Sequence, residues 1–171
     1  MDWDASIYMV DIDSMKVLQV VNKILNHKYL GSEPSIDDDI WVEGEACVVK
    51  YCEDQKWYRG VVVKLPADGK VLVRFVDYGS LQLCYKWSLR KKLFCTEFPI
   101  QCIKAQLNVD PVSSRWNQEV LDFIHDMVVD QDLRISVIDI DCKPIVVEVE
   151  TFGGINVAKL LTSNEYAIAR S

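Results

Sequence analysis

The chain has 171 residues, half of them hydrophobic, a tenth aromatic and about a quarter charged; this fits one medium domain or two small ones and excludes disordered, collagen-like and disulfide-scaffold chains. Nineteen Lys and Arg against twenty-six Asp and Glu give a net charge of −7, which argues against binding nucleic acid through bulk electrostatics and suits a cationic partner. Six cysteines with no CxxC pair and only two histidines argue against zinc and for the reduced thiols of an intracellular protein, and no stretch approaches the roughly 18 apolar residues of a membrane span.

In chain order, residues 5–12 are apolar and β-prone, and Asp13 or Ser14 is placed to cap a helix carrying Val17, Val21, Ile24 and Leu25 at helical spacing, with Gly31 as its stop. Segment 31–39 combines helix breakers with an acidic run and reads as a linker, with a boundary near residue 40. From Trp41 to Cys84 the pattern becomes short β-runs at intervals of about 10 residues, the signature of a small barrel or strongly bent sheet. Strands are predicted at 45–51, 57–65, 70–76 and 81–85, with turns at 53–55, 66–69 and 78–80. After a connector ending near Pro99, the spacing predicts a strand at 100–107 and a helix at 113–129 burying Trp116, Val120, Ile124 and Met127. A hairpin of 133–140 with 145–151 and a last helix at 156–163 complete the chain. Neither flank has enough elements to close a core alone, so the two are expected to pair with each other across the central module.

Charge follows the same division. Residues 1–40 carry 3 basic and 8 acidic side chains, 41–100 carry 10 and 7, and 101–171 carry 6 and 11. The centre is locally positive between acidic flanks.

The run Ala-Cys-Val-Val-Lys-Tyr-Cys-Glu-Asp-Gln-Lys-Trp-Tyr-Arg-Gly at 46–60, followed by Val-Arg-Phe-Val-Asp-Tyr-Gly-Ser at 73–80 and then Leu89-Arg90, closely resembles a Tudor domain. The flanks are similar to the split staphylococcal-nuclease-like half of an extended Tudor domain. The resemblance implies a mainly β fold with α-helices, a Tudor β-barrel inserted into a split nuclease-like OB-fold subdomain. Residues 1–40 are then the first part of that subdomain with its linker, 41–92 the barrel and 93–171 the remainder, together one extended Tudor domain.

The resemblance further implies a non-catalytic reader of methylated arginine, symmetric dimethylarginine in particular, on Piwi-class Argonaute or other Arg-Gly-rich proteins. It places the chain in small-RNA silencing in the cytoplasm or perinuclear germ granules, as a monomeric module of a larger protein with no cofactor and no metal. By motif position, Tyr51, Tyr58, Phe75 and Tyr78 wall an aromatic cage. Ser80 stands where the family commonly has an Asn that orients the guanidinium, and its hydroxyl is shorter. The chemistry suits the residue types: methylation removes N–H donors and adds apolar surface to a guanidinium that keeps its charge, and aromatic faces satisfy such a cation.

The same residues have plainer readings. Tyr51, Tyr58 and Phe75 lie in β-runs where aromatics are enriched because they pack well. Trp57 neighbours Tyr58, faces the other way in a regular strand and is assigned to the core. Asp77 reads as fixing its turn, and Ser80 as a turn residue as well as a ligand contact. Three rival functions follow. A methylation-independent protein scaffold is one, suggested by Ser80. RNA binding through the OB-like half, or through Lys86, Arg90, Lys91 and Lys92 with an exposed Trp87, is the second. The third is a nuclease built on the pairs Asp11/Asp13 or Asp139/Asp141, which read better as solvated turn carboxylates.

Overall fold

A computed structural model describes residues 5–66 and 69–170. Two residues of the predicted turn at 66–69, Ala67 and Asp68, lie outside the described residues. The elements are β1 (Ser6–Val10), α1 (Ser14–Lys28), β2 (Ala46–Lys50), β3 (Trp57–Lys64), β4 (Lys70–Phe75), β5 (Leu81–Tyr85) and β6 (Leu89–Arg90), then β7 (Cys102–Leu107), β8 (Val109–Pro111), α2 (Gln118–Val128), β9 (Leu133–Asp139), β10 (Ile145–Thr151), α3 (Val157–Ser163) and β11 (Ala167–Ala169). Single 3-10 turns occupy Ile36–Asp39 and Lys86–Ser88.

Residues 10–103 form one compact unit. Its antiparallel sheet runs β5-β4-β3-β2-β6, and the period-2 alternation of β2 sorts its side chains onto two faces. Cys47 and Val49 join Val62, Val71, Val73 and Phe75 in one core, whereas Val48 and Trp57 face α1 and pack with Val21, Leu25 and Tyr29. Trp57 is thus buried, as expected, but under the helix, in ring contact with Tyr29 at 5.1 Å between centroids. A close crossing fixes the glycine of the Trp-Tyr-Arg-Gly run. A Cβ on Gly60 would lie 2.7 Å from Val73 Cγ1, inside any real contact distance.

Two local readings change. The helix α1 is not capped by Asp13 or Ser14; Asp11 accepts the backbone N–H groups of both, at 3.1 and 3.3 Å. Segment 31–39 is not a loose linker but a bonded part of this unit. Asp38, 4 % exposed, accepts the N–H of Ser35 at 2.8 Å and of Lys91 at 2.7 Å, and its own carbonyl accepts the Trp41 indole N–H at 2.6 Å.

The second unit takes β1 from one end of the chain and everything from Lys104 onward from the other. Its sheet order is β1-β7-β10-β9, with β8 and β11 as a separate antiparallel pair. Ile7 of β1 shares a core with Leu107, Ile124, Val147, Val149 and Leu161, so the flanks meet through this one strand, while α1, expected to pair with the second flank, packs against Val48 and Trp57 of the other unit. The helix expected at 113–129 begins later, at Gln118. Asn117, in extended backbone, accepts the Val120 N–H at 2.8 Å and caps it there. Among the described residues no helix is long and apolar enough to cross a membrane.

Candidate functional site

The two sequence blocks that carry the resemblance are tied by an ion pair. Arg59 engages Asp77 through two parallel bonds, Nε to Oδ2 at 2.8 Å and Nη2 to Oδ1 at 2.6 Å, and Asp77 is 2 % exposed. The remaining guanidinium hydrogens go to the carbonyls of Cys95, Phe98 and Pro99, and Asp77 Oδ1 also accepts the Gln101 N–H. This fork-on-fork pair with its donors satisfied is the geometry in which a buried ion pair holds. Asp77 therefore does more than fix its turn. It locks the strand bearing Tyr58 against the turn bearing Tyr78.

That turn is tight. Gly79 takes a positive φ of 80° and donates its N–H to the Phe75 carbonyl at 2.7 Å, while the Ser80 carbonyl accepts the Phe75 N–H at 2.9 Å. Across from it, the turn between β2 and β3 closes through Tyr51 N–H to the Lys56 carbonyl at 2.8 Å and Gln55 N–H to the Tyr51 carbonyl at 3.0 Å. The two turns bring the five sequence-predicted residues together. A pocket of about 210 Å³ is lined by Tyr51, Tyr58, Phe75, Tyr78 and Ser80, and by Asp54.

The four rings meet edge to face. Tyr51 and Tyr58 are 6.3 Å apart at 84°, Tyr51 and Phe75 5.6 Å at 83°, Tyr58 and Phe75 5.9 Å at 76°, and Tyr58 and Tyr78 5.5 Å at 87°. The rings thus line the cavity at near-right angles to one another. Phe75 is the buried floor, Tyr51 and Tyr58 are half-buried and Tyr78 is 40 % exposed at the mouth.

Electrostatics favour a positive guest. Burial, with the hydrogen bond to Asp54, keeps the Tyr58 phenol well above the ordinary tyrosine range. Tyr78 is raised by burial, against a hydrogen bond from Asn22, and Tyr51 by the Glu53 carboxylate beside it. The hydroxyls stay neutral at physiological pH. Burial opposes ionisation of Asp54, but the Tyr58 hydroxyl, the Lys56 N–H and the Lys56 ammonium together hold its carboxyl below the usual range. Ionised Asp54 thus stands in the pocket wall.

Two residues of this arrangement escape the sequence reading. Asp54 lies in the turn anticipated at 53–55, and its position four residues before Tyr58 is the one hint that the two side chains meet. Asn22 of α1 donates to the Tyr78 hydroxyl at 2.7 Å. It lies 56 residues from its partner, and no local signal marks it.

Several of the other residues weighed from sequence have internal partners. Arg90 is buried, stacks over Trp57 at 4.9 Å and gives its hydrogens to Ser32 and to the carbonyls of Trp87 and Leu89. Lys91 pairs with Glu45 at 2.6 Å, and Lys86 donates to the Asp39 carbonyl. Lys92 lies over Phe94, and the exposed Trp87 stacks on Tyr85 at 4.0 Å. Asp11 accepts the N–H groups that open a helix, and Asp139 accepts those of Asp141 and Cys142 in a turn. All six cysteines are free thiols. Among the described residues no three His, Cys, Asp or Glu side chains gather as a metal site would require.

The family model for the Tudor domain matches residues 1–109. The chain is 36 % identical over 128 residues to Tudor domain-containing protein 1 of Oryzias latipes, and 31 % identical over 116 residues to the human Tudor domain-containing protein 1. The matches cover 72 % and 66 % of this chain but 11 % and 10 % of those relatives, so the chain spans about a tenth of their length. In three dimensions it is similar to the extended Tudor domain of human TDRD1 in complex with a symmetrically dimethylated peptide, with a TM-score of 0.86 at 24 % identity over 99 % of this chain and 86 % of that one. An extended Tudor domain of mouse TDRD1, bound to a MILI peptide containing dimethylarginine, gives 0.84 at 21 % identity over 100 % and 90 %. That of Drosophila melanogaster Papi, bound to a symmetrically dimethylated Piwi peptide, gives 0.77 at 17 % over 99 % and 95 %. These likenesses establish the fold, an extended Tudor domain.

Proposed function

The chain belongs to the Tudor domain family, and from that premise we propose that it is a non-catalytic reader whose box of Tyr51, Tyr58, Phe75 and Tyr78 takes a methylated arginine side chain, symmetric dimethylarginine in particular. The observation that carries this reading is the pocket itself: four rings meeting edge to face around about 210 Å³, with an ionised carboxylate in the wall. A methylated guanidinium is flat, cationic and short of N–H donors, and each ring face offers it roughly 0.5–2 kcal/mol. The peptides in the neighbouring complexes support the ligand class and suggest Piwi-class Argonaute proteins as the source. The setting that follows is small-RNA silencing in the cytoplasm or perinuclear germ granules.

A few cage contacts and a short peptide backbone give roughly −4 to −8 kcal/mol, hence millimolar to micromolar dissociation constants. Repeated arginine motifs then raise avidity. Calorimetric titration with Arg-Gly peptides carrying unmodified, monomethyl, asymmetric dimethyl or symmetric dimethyl arginine tests the reading. The expected result is preference for a methylated form. Equal binding of all four peptides supports a methylation-independent scaffold instead, and binding of none rejects an arginine reader of either kind.

A further inference from the structure

We propose that Asp54 is the specificity-determining residue of this pocket: its carboxylate, and not Ser80, receives the charge and the remaining N–H donors of the bound cation. The pocket then selects methylated cations that keep N–H groups over quaternary ones. The proposal rests on the methylarginine reading above.

Four observations lead to it. Asp54 lines the same cavity as the four rings. Its turn is closed by backbone bonds and includes Gln55 at a φ of 61°, a conformation that non-glycine residues adopt only when their surroundings hold them there. The carboxylate is aimed by two bonds, Oδ1 accepting the Lys56 N–H at 2.9 Å and Oδ2 accepting the Tyr58 hydroxyl at 2.6 Å. A carboxylate has about four acceptor sites, so capacity for a ligand remains.

The competing polar groups are less suited. The Tyr58 hydroxyl proton is directed to Asp54, and the Tyr78 hydroxyl already accepts from Asn22. Ser80 offers a neutral oxygen on a one-carbon stem in a turn that its own carbonyl closes. Among the described residues, Asp54 is the one carboxylate lining the cavity. Its counter-ion is weak, the Lys56 ammonium at 3.6 Å with a side chain 62 % exposed, and a guanidinium entering the box displaces it readily.

The consequence for ligand choice follows from donor counting. Arginine has five N–H donors, and dimethylation leaves three, whereas a trimethylammonium has none. A cage with a carboxylate wall gains a charge-assisted hydrogen bond from the first and only charge from the second.

The test titrates wild type, Asp54→Asn, Ser80→Ala and Lys56→Met with a symmetric dimethylarginine peptide, and with the same peptide carrying dimethyllysine or trimethyllysine. Asp54→Asn removes the charge and leaves one acceptor oxygen, for the Lys56 N–H or for the Tyr58 hydroxyl. It should weaken the dimethylarginine peptide about tenfold, which is about 1.4 kcal/mol, and flatten the ionic-strength dependence of binding. Preference for dimethyllysine over trimethyllysine should vanish with it. Ser80→Ala should weaken binding less than Asp54→Asn does. Lys56→Met leaves the turn intact and should tighten binding two- to threefold, an effect no purely structural role of Asp54 produces, so the idea remains testable even if the Asp54 variant folds poorly. Unchanged affinity in both Asp54→Asn and Lys56→Met, or a larger loss in Ser80→Ala than in Asp54→Asn, overturns the proposal while leaving the cage standing. Failure of wild type to bind any methylated peptide removes the cage reading and this inference together.

Discussion

Two aromatic clusters of the five-stranded unit invite a ligand, and they differ in what their polar neighbours do. Around Tyr51, Tyr58, Phe75 and Tyr78 the rings stand edge to face and the nearby charge is an ionised carboxylate with acceptor sites to spare. Around Tyr85 and Trp87 the rings lie flat on each other at 8°, and the basic residues of the same segment are engaged by backbone carbonyls, Glu45 and aromatic faces. Of the four basic residues there, Arg90 is buried and Lys91 is paired with Glu45, whereas Lys86 and Lys92 meet only neutral partners and keep their charge. The basic run 86–92 thus offers a partner less charge than its sequence count suggests.

The largest effect should come from breaking the frame behind the first cluster. Asp77→Ala leaves Arg59 buried without its anion, and about 3–5 kcal/mol of stability should be lost, read as a fall in the denaturant midpoint with loss of peptide binding. Tyr78→Ala should behave differently. Its ring is 40 % exposed, so the unfolding midpoint should scarcely move while affinity for the methylated peptide falls by about 10- to 100-fold, roughly 1.4–2.8 kcal/mol. Gly60→Ala pushes a methyl into Val73 and should cost about 1–3 kcal/mol of stability. Asn22→Ala removes only the bond that steadies the Tyr78 hydroxyl; a loss of about 0.5–1 kcal/mol in binding is expected, with stability barely changed. At the second cluster, Lys86→Gln should alter stability by less than about 0.5 kcal/mol.

Acid sharpens the comparison from another side. Burial opposes ionisation of Asp38, but the Ser35 and Lys91 N–H groups, the Ser35 hydroxyl and the Arg90 charge outweigh it and lower its pKa. A carboxyl with a lowered folded-state pKa adds stability that is complete above the unfolded value of about 3.9 and disappears as pH falls through the folded one. Thermal midpoints should therefore be insensitive to this group between about pH 5 and 8 and drop below about pH 4, with a smaller drop in Asp38→Asn.

Much of the fold was legible because its strands obey a period of two. The observed bounds of β2 to β5 fall within a residue of those expected, since alternation and turn residues act over a few positions. The paired strands β8 and β11 leave no such mark in the sequence. Three residues each, they are too short for any period to register. Position in the motif brought forward Tyr51, Tyr58, Phe75, Tyr78 and Ser80, all of which line one pocket. Asp54 and Asn22 stayed hidden, because a turn carboxylate and a helical amide look the same from sequence whether they face solvent or a ligand.

The most direct test is an NMR spectrum of a symmetric dimethylarginine peptide bound to the protein, recorded for intermolecular contacts of the two N-methyl groups. Ring-current shifts of those methyls, with contacts to the Tyr51, Tyr58, Phe75 and Tyr78 ring protons, are the predicted result. Contacts to Tyr85 and Trp87 instead, or methyls that keep their free-peptide shifts at saturation, would contradict it.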